Sequence, residues 1–350
     1  MKRTYENLDY DALTCLTGDP FVDAGGFVIE ELSSRYPDYD ILDLIMLATN
    51  IYVDCWDAKI NSFFLNSKIT QPAFNTPDKK KTATKDYFVD MLSDKLPHIE
   101  GYCRVTGRKT FLFAAGRDNS VLSGSSTFVN FHHSFQNGLM LSKEVLIRCH
   151  FLPLACEQMQ GRIGVISSSN PSTGAFYARE CCSKTLYDVG KNLSQGVLKN
   201  KSHSPGTALF SRINPTKDEQ ITLYHFTNFG AGPETQIYTL PFPAFQFYRE
   251  ARRPVYSDCW NKFIASHYRA SEHKKAVYQV DSNVFTETDK KGTLTLNEDE
   301  FKFWSNSIYD KLMNDKSIVS DLRKWSVNQY FDFKLLRCYL INIRHMKNET

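Results

Sequence analysis

The sequence has no apolar run approaching the roughly 20 residues that cross a bilayer. Its opening, Met1-Lys2-Arg3-Thr4-Tyr5, does not begin a signal-peptide pattern. A membrane partner is therefore not expected, and the setting predicted is cytoplasmic. Cysteines number nine, an odd count that argues against a disulfide framework and predicts reduced, mostly buried thiols. Adjacent Cys181 and Cys182 are poorly placed to bridge. Also missing are G-x-S-x-G, H-E-x-x-H and G-x-G-x-x-G, which removes the usual signs of a serine hydrolase, a zinc peptidase and a dinucleotide enzyme. There is no internal repeat and no low-complexity tract. No metal ligand set and no cofactor is predicted.

What is present is an ordinary globular composition, 42% hydrophobic and 23% charged over 350 residues. That length can bury a sizeable core. Aromatic residues are frequent, with 25 Phe and 18 Tyr. Charge is uneven along the chain. Residues 1–100 carry 10 Lys/Arg against 17 Asp/Glu, residues 101–275 carry 21 against 11, and residues 276–350 carry 11 against 11. A basic middle behind an acidic head suits a polyanionic partner.

The sharpest local signal is Leu16-Thr17-Gly18-Asp19-Pro20-Phe21-Val22-Asp23-Ala24-Gly25-Gly26. Pro20 has a preset φ and no N–H to waste in a first helical turn. Asp19 is placed to cap, and Asp23 complements the helix dipole. A helix is predicted over 21–35 and a longer one over 40–65. Residues 66–82 read as a polar, basic loop containing Lys79, Lys80 and Lys81, and a helix near 83–95 ends at Pro97. Strands are predicted at 109–115 and 162–167. Residues 142–158 read as helix divided at Pro153, and another helix runs from about 172 to 199. Ile221–Thr227 and Thr235–Leu240 form a hairpin around Asn228-Phe229-Gly230-Ala231-Gly232-Pro233. Helix follows to about 272, then short Thr-rich strand or loop over 276–296. A helical tail carries Phe301, Trp304, Ile308 and Leu312 on one stripe, with a second helix over 317–345. The fold class expected is α+β: a mixed α/β N-terminal and middle region over 1–275, and a small helical C-terminal bundle over 276–350.

Candidate chemistry is sparse. Gly101 to Thr110 resembles a phosphate loop only loosely, with the second glycine one residue late, and reads as a turn into a strand. His132 and His133 are neighbours and would point to opposite faces of a strand. Cys149 and Cys156 do not match zinc spacing. Asp19 and Asp23, four apart, could pair for acid–base or metal work, but capping and dipole compensation account for both. The remaining polar groups suit phosphates and base edges: Lys79, Lys80 and Lys81 for phosphates, then Arg117, Asn119, Ser120, Ser125 and Ser126, then Asn130, His132, His133, Gln136 and Asn137.

Several segments stand together in order: Leu16–Gly26, Gly116-Arg117, Leu122-Ser123-Gly124-Ser125, Asn130-Phe131, Gly138-Leu139, Leu141-Ser142, Phe151-Leu152-Pro153-Leu154-Ala155, and Thr227 through Pro241. In order and spacing they resemble the large subunit of type I-B CRISPR interference complexes (Cascade), of the group named for two CXXC pairs. The resemblance covers roughly residues 13–250. Only Cys103 of that cysteine region is kept, with Thr106 where a second Cys would stand. The resemblance implies a non-catalytic subunit that inspects the protospacer-adjacent motif in double-stranded target DNA and helps open it. The implied partners are the guide CRISPR RNA, the backbone and 5′-handle-capping subunits, and a helicase-nuclease or a transposition adaptor. In such a complex guide pairing carries sequence specificity, and the protein reads only a few base pairs. Two other readings differ in class. One is a stand-alone nuclease or nucleotide hydrolase using Asp19, Asp23, His132 and His133. The other is a scaffold subunit that touches no DNA.

Overall fold

The computed structural model describes residues 1–123, 139–199, 206, 209–210, 219–227, 234–240, 242–289 and 292–346. It is a mixed α+β structure with several small sheets and a helical C-terminal portion. Helix α1 (Pro20–Arg35) starts as its sequence requires: the Asp19 carboxylate accepts from the amides of Phe21 and Val22, both at 2.9 Å. Helix α2 (Ile41–Asn50) opens on a capping box between Asp40 and Asp43. It continues as one π-helical turn, Ile51–Cys55, and stops there rather than at residue 65. Asp57 and Ala58, at φ 49° and 56°, turn the chain left-handed and end it.

Helix α3 (Pro77–Leu92) begins six residues earlier than the sequence reading placed it. Thr76 caps it and Pro77 occupies the first turn, so Lys79, Lys80 and Lys81 belong to a helix N-terminus and not to a loop. Strands β1 (His98–Tyr102), β2 (Lys109–Ala115) and β3 (Leu139–Ser142) make an antiparallel sheet. The Gly101–Thr110 stretch is thus a hairpin without the strand-to-helix turn a phosphate loop needs.

Helix α4 (Lys143–Phe151) is buried along its whole length and passes at Pro153 into a 3₁₀ turn, Leu152–Ala155. Strands β4 (Glu157–Met159), β5 (Arg162–Ser168), β6 (Leu198–Lys199), β7 (Ile221–Thr227) and β8 (Glu234–Leu240) form a sheet in the order β6-β4-β5-β7-β8. The expected hairpin is there, with Ile221 opposite Leu240. Its tip, residues 228–233, lies outside the described residues. Helix α5 (Pro171–Gly190) ends nine residues before the expected stop, where Asn192 turns left-handed at φ 57°.

This sheet divides two cores by its period of two. Ile163, Val165 and Phe226 face the first, with α1, α2, α3 and α4. Ile166, Ile221 and Leu223 face the second. Helix α5 straddles both: Ala178 and Cys182 join the first core while Tyr177 and Cys181 join the second. All nine cysteines are free, and Cys181 and Cys182 point into different cores.

The second core draws on both sides of residue 275. Helices α6 (Phe242–Ala251) and α7 (Pro254–Ala265) contribute Phe247, Trp260 and Phe263. Strands β9 (Tyr268–Arg269), β10 (Val277–Gln279), β11 (Val284–Asp289), β12 (Gly292–Leu296) and β13 (Ser305–Asn306) follow, with β10–β12 an antiparallel meander. Helices α8 (Glu298–Phe301), α9 (Ser307–Met313), α10 (Val319–Trp325) and α11 (Phe333–Asn342) complete the chain. The apolar stripe Phe301, Trp304, Ile308 and Leu312 is buried, though carried on two helices. The expected helix over 317–345 is broken between Trp325 and Phe333.

Candidate nucleic-acid interface

Much of the Leu16–Gly26 motif is built into the fold around one buried side chain. Arg148, from the middle of α4, is fully buried and runs under α1. Its Nε donates to Val22 O at 2.9 Å, its Nη1 to Ala12 O and Cys15 O at 3.1 and 2.8 Å, and its Nη2 to Asp23 Oδ1 at 2.7 Å. Asp23 also accepts from the amide and hydroxyl of Thr17 and from the amide of Gly18. A buried cation is tolerable only with such complete pairing. The glycines follow from the same crossing. A Cβ on Gly25 would lie 2.0 Å from the carbonyl oxygen of Arg148, and one on Gly26 would lie 2.9 Å from its guanidinium. Burial pushes the Asp19 carboxyl up despite its two cap hydrogen bonds. Both carboxylates are engaged within the fold: Asp19 caps α1 and Asp23 pairs with Arg148.

The polar residues singled out for nucleic acid fall into three groups. Ser125, Ser126, Asn130, His132, His133, Gln136 and Asn137 lie outside the described residues. Arg117, Asn119 and Ser120 form the turn after β2. Here Asn119 is spent inside the fold: its Oδ1 accepts from Gly116 N at 2.9 Å, and its Nδ2 donates to Tyr87 Oη and to Ala114 O at 2.9 and 3.0 Å. Ser120 is buried. Arg117 is exposed, and its carbonyl accepts from Leu65 N at 2.6 Å.

In the third group Lys79 is exposed and reaches Asn75 Oδ1. Lys80 Nζ donates to Ile69 O at 2.6 Å, and Lys81 pairs with Asp54 at 2.7 Å. The fold brings the second and third groups together over residues 64–70. That loop bonds to Arg117 at Leu65 and to Lys80 at Ile69. Between them lies a small cavity, about 40 Å³, lined by Lys68, Tyr87, Asp118, Asn119 and His150 among others. Sequence reasoning missed Lys68, an exposed residue on this loop. Its signal was a lone lysine among polar residues, indistinguishable from surface.

Cys103 sits in the β1–β2 turn, where Gly107, at φ 66°, donates back to Cys103 O at 2.9 Å. Burial pushes its thiol up, but hydrogen bonds from the amides of Thr106, Ser142 and Val105 and from the Thr106 hydroxyl outweigh this and leave it below the ordinary range. Among the described residues, no three His, Cys, Asp or Glu side chains gather as metal ligands do. No helix among them is long and apolar enough to cross a membrane. A scan against protein-family models finds no match for this chain, and searches of curated proteins and of solved structures return none either.

Proposed function

We propose that the chain is the non-catalytic large subunit of a type I-B-like RNA-guided complex, which reads the protospacer-adjacent motif in duplex DNA and assists strand opening. The observation that carries the reading is the 64–70 loop, which holds exposed Lys68, accepts from Lys80 Nζ at Ile69 O and bonds through Leu65 N to the carbonyl of exposed Arg117. Lys68, Lys80 and Arg117 are cations from three separate stretches of sequence. In sequence, Arg117 precedes the Gly124–Gly138 stretch that holds the remaining candidate residues. Cations of this kind give affinity without sequence preference, and amide side chains that meet base edges give discrimination of ~1–3 kcal/mol per good pair.

The structural use of Asp19 and Asp23 weighs against the nuclease reading, which drew on both. The scaffold reading makes no use of the exposed cations. In the assembled complex, Arg117→Glu is expected to weaken target-duplex binding at unchanged assembly. Unchanged binding for Arg117→Glu and for Lys68→Glu together would favour the scaffold.

A further inference from the structure

The segment between α10 and α11 holds large apolar side chains out of the fold. Val327 is 77% exposed, Tyr330 73% and Phe333 74%. Exposed rings are ordinarily mobile, but these stand on an anchored loop. Trp325 and Phe331 turn inward onto Phe263, with ring centroids 6.0 and 5.5 Å away. Trp325 O accepts from the amides of Asn328 and Gln329, and Trp325 Nε1 donates to Tyr330 O at 3.4 Å. The Tyr330 hydroxyl donates to Asp332 Oδ2 at 2.9 Å, while Asp332 Oδ1 caps α11 through the amides of Lys334 and Leu335. One short stretch thus alternates inward anchors with outward rings.

The charges beside the rings select the partner. Arg323 and Lys324 close α10 and Lys334 opens α11, all three exposed. Within Arg323–Lys334 the one acid is Asp332, already engaged as a cap. Nearby Asp321 is neutralised by Lys311 at 2.6 Å. An acidic strand with flat apolar faces fits this surface. Bases stack on rings whatever their identity, and phosphates meet the flanking cations. A duplex fits poorly, because its bases are already stacked.

The geometry points to Tyr330 and Phe333 as a stacking platform for single-stranded nucleic acid, with Arg323, Lys324 and Lys334 on its phosphates. This inference is independent of the duplex-reading surface around Arg117 and does not rest on it. The test is fluorescence anisotropy of a labelled oligo-dT of about 16 nucleotides with the full chain, using an unlabelled duplex of equal length as competitor. Tyr330→Ala and Phe333→Ala are each expected to weaken binding between about 5- and 150-fold, the range typical of losing one stacked base. Tyr330→Phe keeps the ring and is expected to bind as the parent does. Lys324→Glu, at an exposed position, is expected to weaken binding and flatten its salt dependence. Failure of the parent chain to bind oligo-dT would overturn the inference. So would parent-like binding by Tyr330→Ala and Phe333→Ala, or displacement of the strand by polyglutamate as readily as by oligo-dT, which would mark an acidic protein as the partner. Loss of duplex binding in an Arg117 variant, with oligo-dT binding intact, would leave it standing.

Discussion

Replacing Asp23 by Asn separates a structural role from a chemical one at the most distinctive motif of the chain. The carboxylate sits with its Arg148 partner in a place where the two side chains are 13% and 1% exposed. Asn keeps the shape but removes the charge; in its better orientation the carbonyl oxygen keeps Thr17 and Arg148, while the amide nitrogen faces the Gly18 amide, a donor against a donor. An isolated buried guanidinium results, and breaking a buried pair from one side costs about 3–5 kcal/mol. Three carbonyl bonds remain to Arg148, so the lower half of that range is expected. The assay is urea unfolding followed by circular dichroism. A second variant, Arg148→Met, and the double variant complete a cycle. The double variant is expected to lose less than the sum of the singles, because removing both charges leaves neither stranded. A cost below about 1 kcal/mol for Asp23→Asn would refute the reasoning. So would strict additivity.

Further outcomes follow from the same packing. Gly25→Ala forces a methyl against the Arg148 carbonyl and is expected to cost more than about 3 kcal/mol, beyond ordinary overpacking; a parent-like melting temperature would contradict the helix crossing. Burial holds the His150 imidazole down at about 4, below its unfolded value near 6.5. The unfolded chain therefore takes up a proton first, so stability is full above about pH 6.5 and falls by roughly 3 kcal/mol as the pH drops to 4. In His150→Gln that part of the slope should vanish, and an unchanged pH profile would count against a neutral buried ring. Lys79→Glu should weaken DNA binding on all sequences alike and reduce the salt slope by about two if Lys79 meets a phosphate, from loss of one cation and gain of an anion. Lys80→Ala and Lys81→Ala should instead lower stability, since those side chains hold Ile69 and Asp54.

Local signals carried much of the fold. Asp19-Pro20 gave away the start of α1, and the alternation in Ile221–Thr227 gave away a strand. Boundaries were legible less often. Thr76-Pro77-Asp78 is a good helix start, but the run of three lysines behind it reads as a solvated loop until Lys80 and Lys81 are seen to hold partners elsewhere. The end of α2 has no glycine to announce it, because Asp57 and Ala58 adopt the left-handed region in its place. The end of α5 was marked by Gly190 and Asn192, and the helical pattern beyond them masked it. What no local reading could reach is Arg148. It is one of several ionisable residues on a helix that also carries Lys143, Glu144 and His150, and its partner Asp23 lies 125 residues away. Arg117 is likewise joined to the loop that carries Lys68 by packing, through its carbonyl and Leu65 N, without any pattern of its own.

The most direct test of the central claim is the salt dependence of duplex-target binding by the assembled guide complex carrying Lys68→Glu, Lys79→Glu and Arg117→Glu together. Weaker binding with a flatter salt slope, in a particle of unchanged composition, is the result predicted. An affinity and slope equal to those of the unaltered complex would contradict it.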